Sequence, residues 1–183
     1  MSVILKLKLI KDAPKPPFLL VYFWVMTTDK QSLSLLNQLH PLIRQRAIAA
    51  YNEAVANTPE NVHPYIVETY RSFERSNELY AQGRTKPGEI VTNAKAGQSY
   101  HNYALALDFG LKINGKVSNK VDWNWRKVAE IFKEHGFQLG LEFTGSLVDP
   151  PHVEDKLGHN WRDLLQMYND KKFIPGTHFL NLG

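Results

Sequence analysis

The sequence predicts an α+β fold in which a small, mainly antiparallel sheet is flanked by helices. Segments with apolar residues at three- and four-residue spacing are interleaved with short runs rich in β-branched and aromatic residues. These segments do not follow the regular strand–helix–strand rhythm that builds a parallel sheet. The length of 183 residues fits a single domain with a core of its own.

The N-terminal half of this domain begins with helices. Apolar residues recur at helical spacing over 35–50, and Pro41 should separate a short turn from a longer helix that runs to about Ala56. Ser72 is typical of a helix N-cap and predicts a helix over 73–82.

Two strands and a long connection alternate with these helices along the chain. Residues 64–70 and 104–113 are predicted strands, and Asn114-Gly115 after the second of them indicates a hairpin turn. Residues 84–98 form a long polar connection that contains Pro and Gly. Loops of this length are often functional.

The C-terminal third is predicted to contain two helices and two short strands. Asp122 should cap one helix and Asn160 a second that ends near Tyr168. Residues 137–143 and 151–154 are the strand candidates between them.

Residues 1–28 are predicted to be an extension outside the folded domain, which is placed at residues 29–183. The apolar run 18–26 is shorter than the roughly 20 residues of a membrane-spanning helix, so no stable membrane span is expected. It has the length of a signal-peptide core after a basic flank, yet no small-residue cleavage site follows. An uncleaved anchor, a buried strand and a translation start at Met26 remain as alternatives.

Composition limits the chemistry of any metal site and argues against nucleic-acid binding. Cysteine is absent, so disulfides and thiolate metal sites are excluded and a metal would need nitrogen and oxygen ligands. The net charge of +4 is compatible with a polyanionic partner. Lys and Arg are scattered along the chain, which does not indicate a nucleic-acid-binding module.

Two histidines have acidic residues at spacings that suit a metal site. His101 precedes Asp108, whose carboxylate lies between Leu107 and Phe109 in an apolar stretch. A carboxylate in such a place either stays at a rim or meets a cation, which is a divalent metal or a Lys or Arg side chain.

His152 is the second candidate, because Asp149 precedes it by three residues and Glu154 follows it by two. Together, His101, Asp108 and His152 would give three ligands and an open fourth position, the pattern of a catalytic zinc. A carboxylate beside the metal would then accept a proton from water. Asp149 and Glu154 are both candidates, and Glu154 could instead orient a ligand.

Three motifs resemble those of one superfamily of zinc peptidases. Residues 99–108, Ser-Tyr-His-Asn-Tyr-Ala-Leu-Ala-Leu-Asp, resemble the SxHxxGxAxD motif of the D-alanyl-D-alanine carboxypeptidases and L-alanyl-D-glutamate endopeptidases. Residues 149–154 resemble its second motif, an acid three positions before a zinc-binding His, and 70–73 its Tyr-Arg-Ser element. Residues 79–94 are similar to the branch of wall-lytic endopeptidases and phage endolysins. The resemblance extends over about 29–168.

The resemblance implies a DD-peptidase-like fold and one zinc ion per chain, bound by His101, Asp108 and His152. It implies Asp149 as the general base that deprotonates the attacking water. The expected substrate is the stem peptide of peptidoglycan and the most favoured activity is that of an L-alanyl-D-glutamate endopeptidase. A D-alanyl-D-alanine carboxypeptidase or dipeptidase, or a relative that only binds wall peptide, are the alternatives.

Further roles follow from the same resemblance. Arg71 would hold a substrate carboxylate or stabilise the developing oxyanion, a role that suits its permanently charged fork. Ser99 would lie at the edge of the substrate. Glu154 would orient a metal ligand without binding the metal itself. The protein is expected to act on the cell wall, outside the cytoplasm or after release by a phage, and as a monomer.

The sequence departs from the family pattern at three places. Ala104 replaces the usual Gly, which could shift the metal-binding loop. Ser76 stands where many relatives have Gln. Residues 140–145 replace a stretch that lines the substrate cleft in the family, so we expect substrate preference to be affected more than metal binding.

Overall fold

The computed structural model describes residues 29–145 and 148–183. The segment 1–28, with its predicted anchor, strand or alternative start, lies outside the described residues, and its boundary stays a prediction. No helix within the described part of the chain is long and apolar enough to cross a membrane. The helices are α1 (Lys30–Leu36), α2 (Pro41–Asn57), α3 (Phe73–Ala81), α4 (Trp123–Glu134) and α5 (Trp161–Asn169). The strands are β1 (Val62–Glu68), β2 (Ala106–Ile113), β3 (Lys116–Ser118), β4 (Gln138–Leu139) and β5 (His152–Glu154).

The five strands form one antiparallel sheet in the order β1–β2–β5–β4, and β3 pairs with β2 as a hairpin. The hairpin turn is the predicted Asn114-Gly115, in which both residues have positive φ, 52° and 77°. Those angles suit a turn that matches the twist of the strands. The α+β prediction with a small antiparallel sheet is confirmed.

One face of β2 packs on the hydrophobic core, and the other carries the predicted metal ligand Asp108. Leu107, Phe109 and Leu111 point to one face, where α2 and α4 help to close the core. Asp108 points to the other face. In the β2–β5 register Asp108 lies opposite His152 and Ala106 opposite Glu154, so the polar residues of both strands share one face.

The start of α2 shows why the helices form where the sequence predicts them. Pro41 occupies the first turn, where a missing N–H costs nothing, and therefore separates α2 from α1. His40 is the N-cap and its Nδ1 accepts a hydrogen bond from the Leu42 N–H at 3.3 Å. Its Nε2–H donates to the Leu180 carbonyl at 2.8 Å, which ties the C-terminal segment to this helix.

Two predicted strands have different bounds in the structure. The strand predicted over 64–70 ends at Glu68, because Thr69 leaves the sheet after a register shift and bonds through its side chain to the Leu35 carbonyl at 2.8 Å. The strand predicted over 137–143 is only Gln138–Leu139. The chain then enters a 3-10 turn, Gly140–Glu142, and the Gly140 carbonyl accepts the Asp149 N–H at 3.0 Å.

Candidate metal centre

A 3-10 turn just before β2, Tyr100–Tyr103, places His101 at the floor of the site. The Ser99 hydroxyl caps this turn by accepting the His101 N–H at 3.4 Å, and the Arg71 N–H donates to the His101 carbonyl at 3.0 Å. Ala104 ends the turn with φ 58° and ψ 30°. These contacts fix the backbone that carries His101, which is only 2% exposed.

The hydrogen bond on the far side of His101 decides which nitrogen faces the site. Its Nδ1 lies 2.6 Å from the Thr69 carbonyl oxygen. Because a carbonyl only accepts hydrogen bonds, Nδ1 carries the proton and, in the neutral ring, Nε2 presents a lone pair. That lone pair is directed at Asp108 Oδ1 and His152 Nδ1, each at 3.2 Å.

His152 is oriented in the same manner from the opposite side. Its Nε2 lies 3.0 Å from Glu154 Oε2, and its Nδ1 lies 3.2 Å from Asp108 Oδ1. A carboxylate accepts the Nε2 proton, so in the neutral ring Nδ1 presents its lone pair to the centre. Glu154 is 3% exposed, and Lys156 Nζ lies 3.2 Å from its other oxygen.

His101, Asp108 and His152 therefore direct three electron pairs at one point. Within residues 29–145 and 148–183 they are the group of acidic and imidazole side chains placed to hold a metal ion. Zinc bonds of 2.0–2.2 Å in tetrahedral geometry put ligand atoms about 3.3 Å apart. The observed separations of 3.2 Å fit that geometry.

The pKa values show that this point attracts positive charge. Burial alone would raise the pKa of Asp108, but the charges and hydrogen bonds of His101 and His152 lower it well below its usual value. Burial lowers the pKa of His152, but hydrogen bonds and charge from Asp108 and Glu154 outweigh it and raise that pKa to about 9. A cation at this point satisfies both groups.

Arg71 is fixed beside the predicted metal ligands. Its Nε lies 2.9 Å from Glu68 Oε2, its Nη2 bonds to the same oxygen, and Nη2 lies 3.7 Å from Asp108 Oδ2. The side chain is 12% exposed. No described residue accepts a hydrogen bond from Nη1, so one amino group of the fork is available to a ligand in the cleft.

Asp149 lies on the turn that leads into β5 and faces the same cleft. Burial and the negative charge of Asp108 raise its pKa. The turn packs tightly on Gly140: a Cβ there would meet the Asp149 carbonyl oxygen at 2.3 Å and the His152 Cβ at 2.8 Å. Gly140 therefore permits the approach that brings Asp149 and His152 to one site.

The cleft above these residues has a volume of about 980 Å³. Part of the long connection 84–98 forms one wall of the cleft. This connection lacks helices and strands, and hydrogen bonds from the Arg84 guanidinium hold it in place. That group donates to the Tyr80 and Thr92 carbonyls at 2.7 and 3.0 Å and to Asn93 Oδ1 at 2.9 Å. The other walls include Ser99, Tyr100, Glu142, Phe143, Thr144, Val148, Lys156 and Trp161.

Three supporting groups were not identified from the sequence. The Thr69 carbonyl is a backbone atom and leaves no signal in residue type. Glu68 precedes Arg71 by three residues, an acid–base spacing that would have suggested their contact. Lys156 follows Glu154 by two residues, a weaker signal of the same kind.

Two of the three family departures, Ala104 and Ser76, have a local structural account. Ala104 adopts the left-handed conformation that favours glycine, and its own N–H and carbonyl are both bonded, to His101 and His40. Ser76 is buried, and its hydroxyl accepts from the Asn102 side chain at 2.7 Å. The Asn102 amide also donates to the Arg71 carbonyl at 2.8 Å, so this contact links α3 to the site.

Known proteins match the chain across this region. A family model described as D-alanyl-D-alanine carboxypeptidase matches residues 92–155. The peptidoglycan L-alanyl-D-glutamate endopeptidase CwlK of Bacillus subtilis (strain 168) is 39% identical over 142 residues, which are 72% of this chain and 81% of that protein. The crystal structure of the Serratia marcescens L-Ala D-Glu endopeptidase ChiX matches with a TM-score of 0.54 and 20% identity. That match covers 78% of this chain and 96% of that one.

The family match and the 39% identical relative, together with the His-Asp-His cluster on the open face of the sheet, define a peptidase of the peptidoglycan-hydrolysing class. The chain belongs to the D-alanyl-D-alanine carboxypeptidase family, which includes the L-alanyl-D-glutamate endopeptidases. The resemblance seen in the sequence and the prediction that the chain is a hydrolytic enzyme are confirmed.

Proposed function

We propose that the chain is a zinc-dependent L-alanyl-D-glutamate endopeptidase that cuts the stem peptides of peptidoglycan. The observation that supports the chemistry is the convergence of three lone pairs from His101, Asp108 and His152 at 3.2 Å separations. The choice of bond rests on the 39% identity to CwlK, which extends over 81% of that relative.

Zinc suits this set of donors, because two imidazole nitrogens and one carboxylate oxygen without thiolate are typical of catalytic zinc sites. One ion per chain held there would act as a Lewis acid, which polarises a peptide carbonyl and makes water acidic near neutral pH. Glu154 and the Thr69 carbonyl would keep the two imidazole rings in the orientation that exposes their lone pairs.

Asp149 is proposed as the general base. It faces the cleft beside the three donors, where a carboxylate can take a proton from water and return it to the leaving amine. Glu154 was the other candidate for this role. Its oxygens are bonded to His152 and Lys156, so it is committed to positioning.

Arg71 is proposed to stabilise the oxyanion. Glu68 holds two nitrogens of the guanidinium, and Nη1 remains available to a developing negative charge on the substrate. A donor fixed in advance stabilises the transition state without reorganisation. Ser99 lines the cleft, but its hydroxyl also caps the turn that carries His101, so it supports the site as well as bordering the substrate.

The remaining aspects of the function follow from the substrate. Peptidoglycan lies outside the cytoplasmic membrane, so the enzyme is proposed to act there, either on the wall of its own cell or after release by a phage. The three donors, the base and Arg71 all come from one chain, which supports activity as a monomer.

The proposal is tested by digestion of purified peptidoglycan followed by end-group analysis. We expect new N-terminal D-glutamate from the wild type and none from Asp149→Asn, with one zinc per wild-type chain and none in Asp108→Ala. Release of free D-alanine would instead support a D-alanyl-D-alanine carboxypeptidase, which the description of the matching family model favours. An Asp149→Asn protein that lyses walls as well as the wild type would refute the assignment of the base.

A further inference from the structure

Lys156 lies on the edge of the cleft with its ammonium group already held in place. It follows the end of β5 by two residues, and its Nζ bonds to Glu154 Oε1 at 3.2 Å. The same nitrogen lies 5.5 Å from the centre of the Tyr100 ring and 5.8 Å from that of Phe143. Two aromatic rings and a carboxylate therefore restrict a side chain that is otherwise among the most flexible.

The ammonium group still has capacity for a ligand. It has three N–H donors, and one described acceptor, Glu154, takes a bond from it. The side chain is 38% exposed and lines the cleft. A positioned cation with free donors that opens into a binding cleft is typical of carboxylate recognition.

The sheet order places Lys156 and Arg71 on opposite sides of the metal centre. β1 and β5 both pair with β2 and run in the same direction, so Arg71, beyond the end of β1, and Lys156, beyond the end of β5, flank the start of β2. Arg71 Nη2 lies 3.7 Å from Asp108, and Lys156 contacts Glu154, which bonds to His152 on the other side of the centre. A peptide bond over the centre would thus have one cation on each side.

We propose that Lys156 determines substrate specificity by binding the free α-carboxylate of the D-glutamate residue that follows the scissile bond. The inference rests on the proposed function, because in an L-alanyl-γ-D-glutamyl peptide this carboxylate is two bonds from the nitrogen that cleavage releases. Arg71 is less suited to it, since Glu68 occupies two of its nitrogens and Asp108 lies beside it.

The test compares two synthetic peptides, L-Ala-γ-D-Glu-L-Lys with a free α-carboxylate and the same peptide with an α-carboxamide. We expect the wild type to prefer the carboxylate on the order of 10-fold to 100-fold in kcat/KM, since a hydrogen bond between charged groups has that effect. Lys156→Met should remove this preference, mainly through KM, whereas Lys156→Arg should retain most of it.

Two further variants serve as controls. Lys172→Met removes one positive charge at a side chain paired with Asp170 at 3.6 Å, so its preference should equal that of the wild type. Arg75 is a second cation that lines the cleft and pairs with Glu78 at 3.2 Å on α3, and Arg75→Met should also keep the preference. Loss of the preference in Arg75→Met but not in Lys156→Met would overturn the proposal.

Calorimetric binding of the product γ-D-Glu-L-Lys and of its α-carboxamide gives a second readout that does not need cleavage. Lys156→Met should weaken binding of the carboxylate product to the level of the carboxamide. If the wild type cleaves neither peptide, the proposed function fails, but the binding comparison still decides the role of Lys156. Equal zinc content in Lys156→Met and wild type is expected, and a loss of zinc in the variant would show that Lys156 acts through Glu154 instead.

Discussion

Substitution of Gly140 by alanine tests how the turn before β5 positions His152. An alanine Cβ would lie 2.3 Å from the Asp149 carbonyl oxygen, 2.8 Å from the His152 Cβ and 3.1 Å from the His152 carbonyl oxygen. Two of these three atoms belong to the backbone, and the third is attached directly to it. None can move aside by a change of rotamer, so the turn itself must shift.

The size of the shift follows from ordinary contact distances. A Cβ–oxygen contact of about 3.4 Å requires the turn to retreat by about 1 Å, and overpacking of this kind costs about 1–3 kcal/mol. At this chain length that lowers Tm by about 2–12 °C. Metal sites tolerate displacements of about 0.2 Å, so zinc affinity should fall by at least about 10-fold.

The assay combines urea unfolding, zinc titration and wall hydrolysis for Gly140→Ala and a matched control. Gly176→Ala is the control, because Gly176 also lies in a loop and an added Cβ there meets nothing within 4 Å, although its φ of 74° adds local strain. We expect the control to lose stability but bind zinc as the wild type does. Wild-type zinc affinity and activity in Gly140→Ala would refute the role given to this close approach.

Three further outcomes follow from the site and its supports. His101→Ala should lose zinc and activity together, whereas Asp149→Asn should keep zinc, by metal analysis, and lose activity; loss of zinc from Asp149→Asn would contradict its role as base. The free energy of unfolding of Ala104→Gly in urea should lie within about 1 kcal/mol of the wild-type value. Relief of left-handed strain is offset by the extra flexibility of glycine in the unfolded chain. Ala104→Gly should also keep its zinc, and loss of the metal would contradict this expectation. Burial lowers the pKa of His40 in the folded protein. As the pH falls below 6.5, His40 is therefore protonated in the unfolded chain before it is protonated in the folded one. The free energy of unfolding should then decrease from its value above pH 6.5. His40→Ala should flatten that acid-side loss in urea unfolding at pH 7.5 and 5.5, and an unchanged slope would exclude His40 as its cause.

The fold was predictable where the signals are local. Pro41, the Asn114-Gly115 turn and the caps Ser72, Asp122 and Asn160 each specify their element through nearby backbone, and the structure has an element boundary at each. Local pattern predicts a strand candidate over residues 137–143. The strand stops after Leu139, since the Gly140 carbonyl bonds to Asp149, which is nine residues away and invisible to local pattern.

The candidate site, too, could be predicted from the sequence only in part. Residue type and spacing drew attention to His101, Asp108 and His152, and the side-by-side position of His152 and Glu154 follows from the two-residue period of a strand. The pairing of Asp108 with His152 depends on the β2–β5 register, a contact between positions 44 residues apart in the chain. No spacing rule gives that register, and the motif resemblance supplied it indirectly.

The outer hydrogen bonds explain why the two histidines present different nitrogens to the same point. Thr69 accepts from Nδ1 of His101, and Glu154 accepts from Nε2 of His152, so the lone pairs lie on opposite ring positions yet converge. Thr69 can do this only because the chain leaves β1 after Glu68, the residue that also holds Arg71. The end of one strand therefore orients a predicted metal ligand and the proposed oxyanion donor together, and a change that lengthens β1 would disturb both.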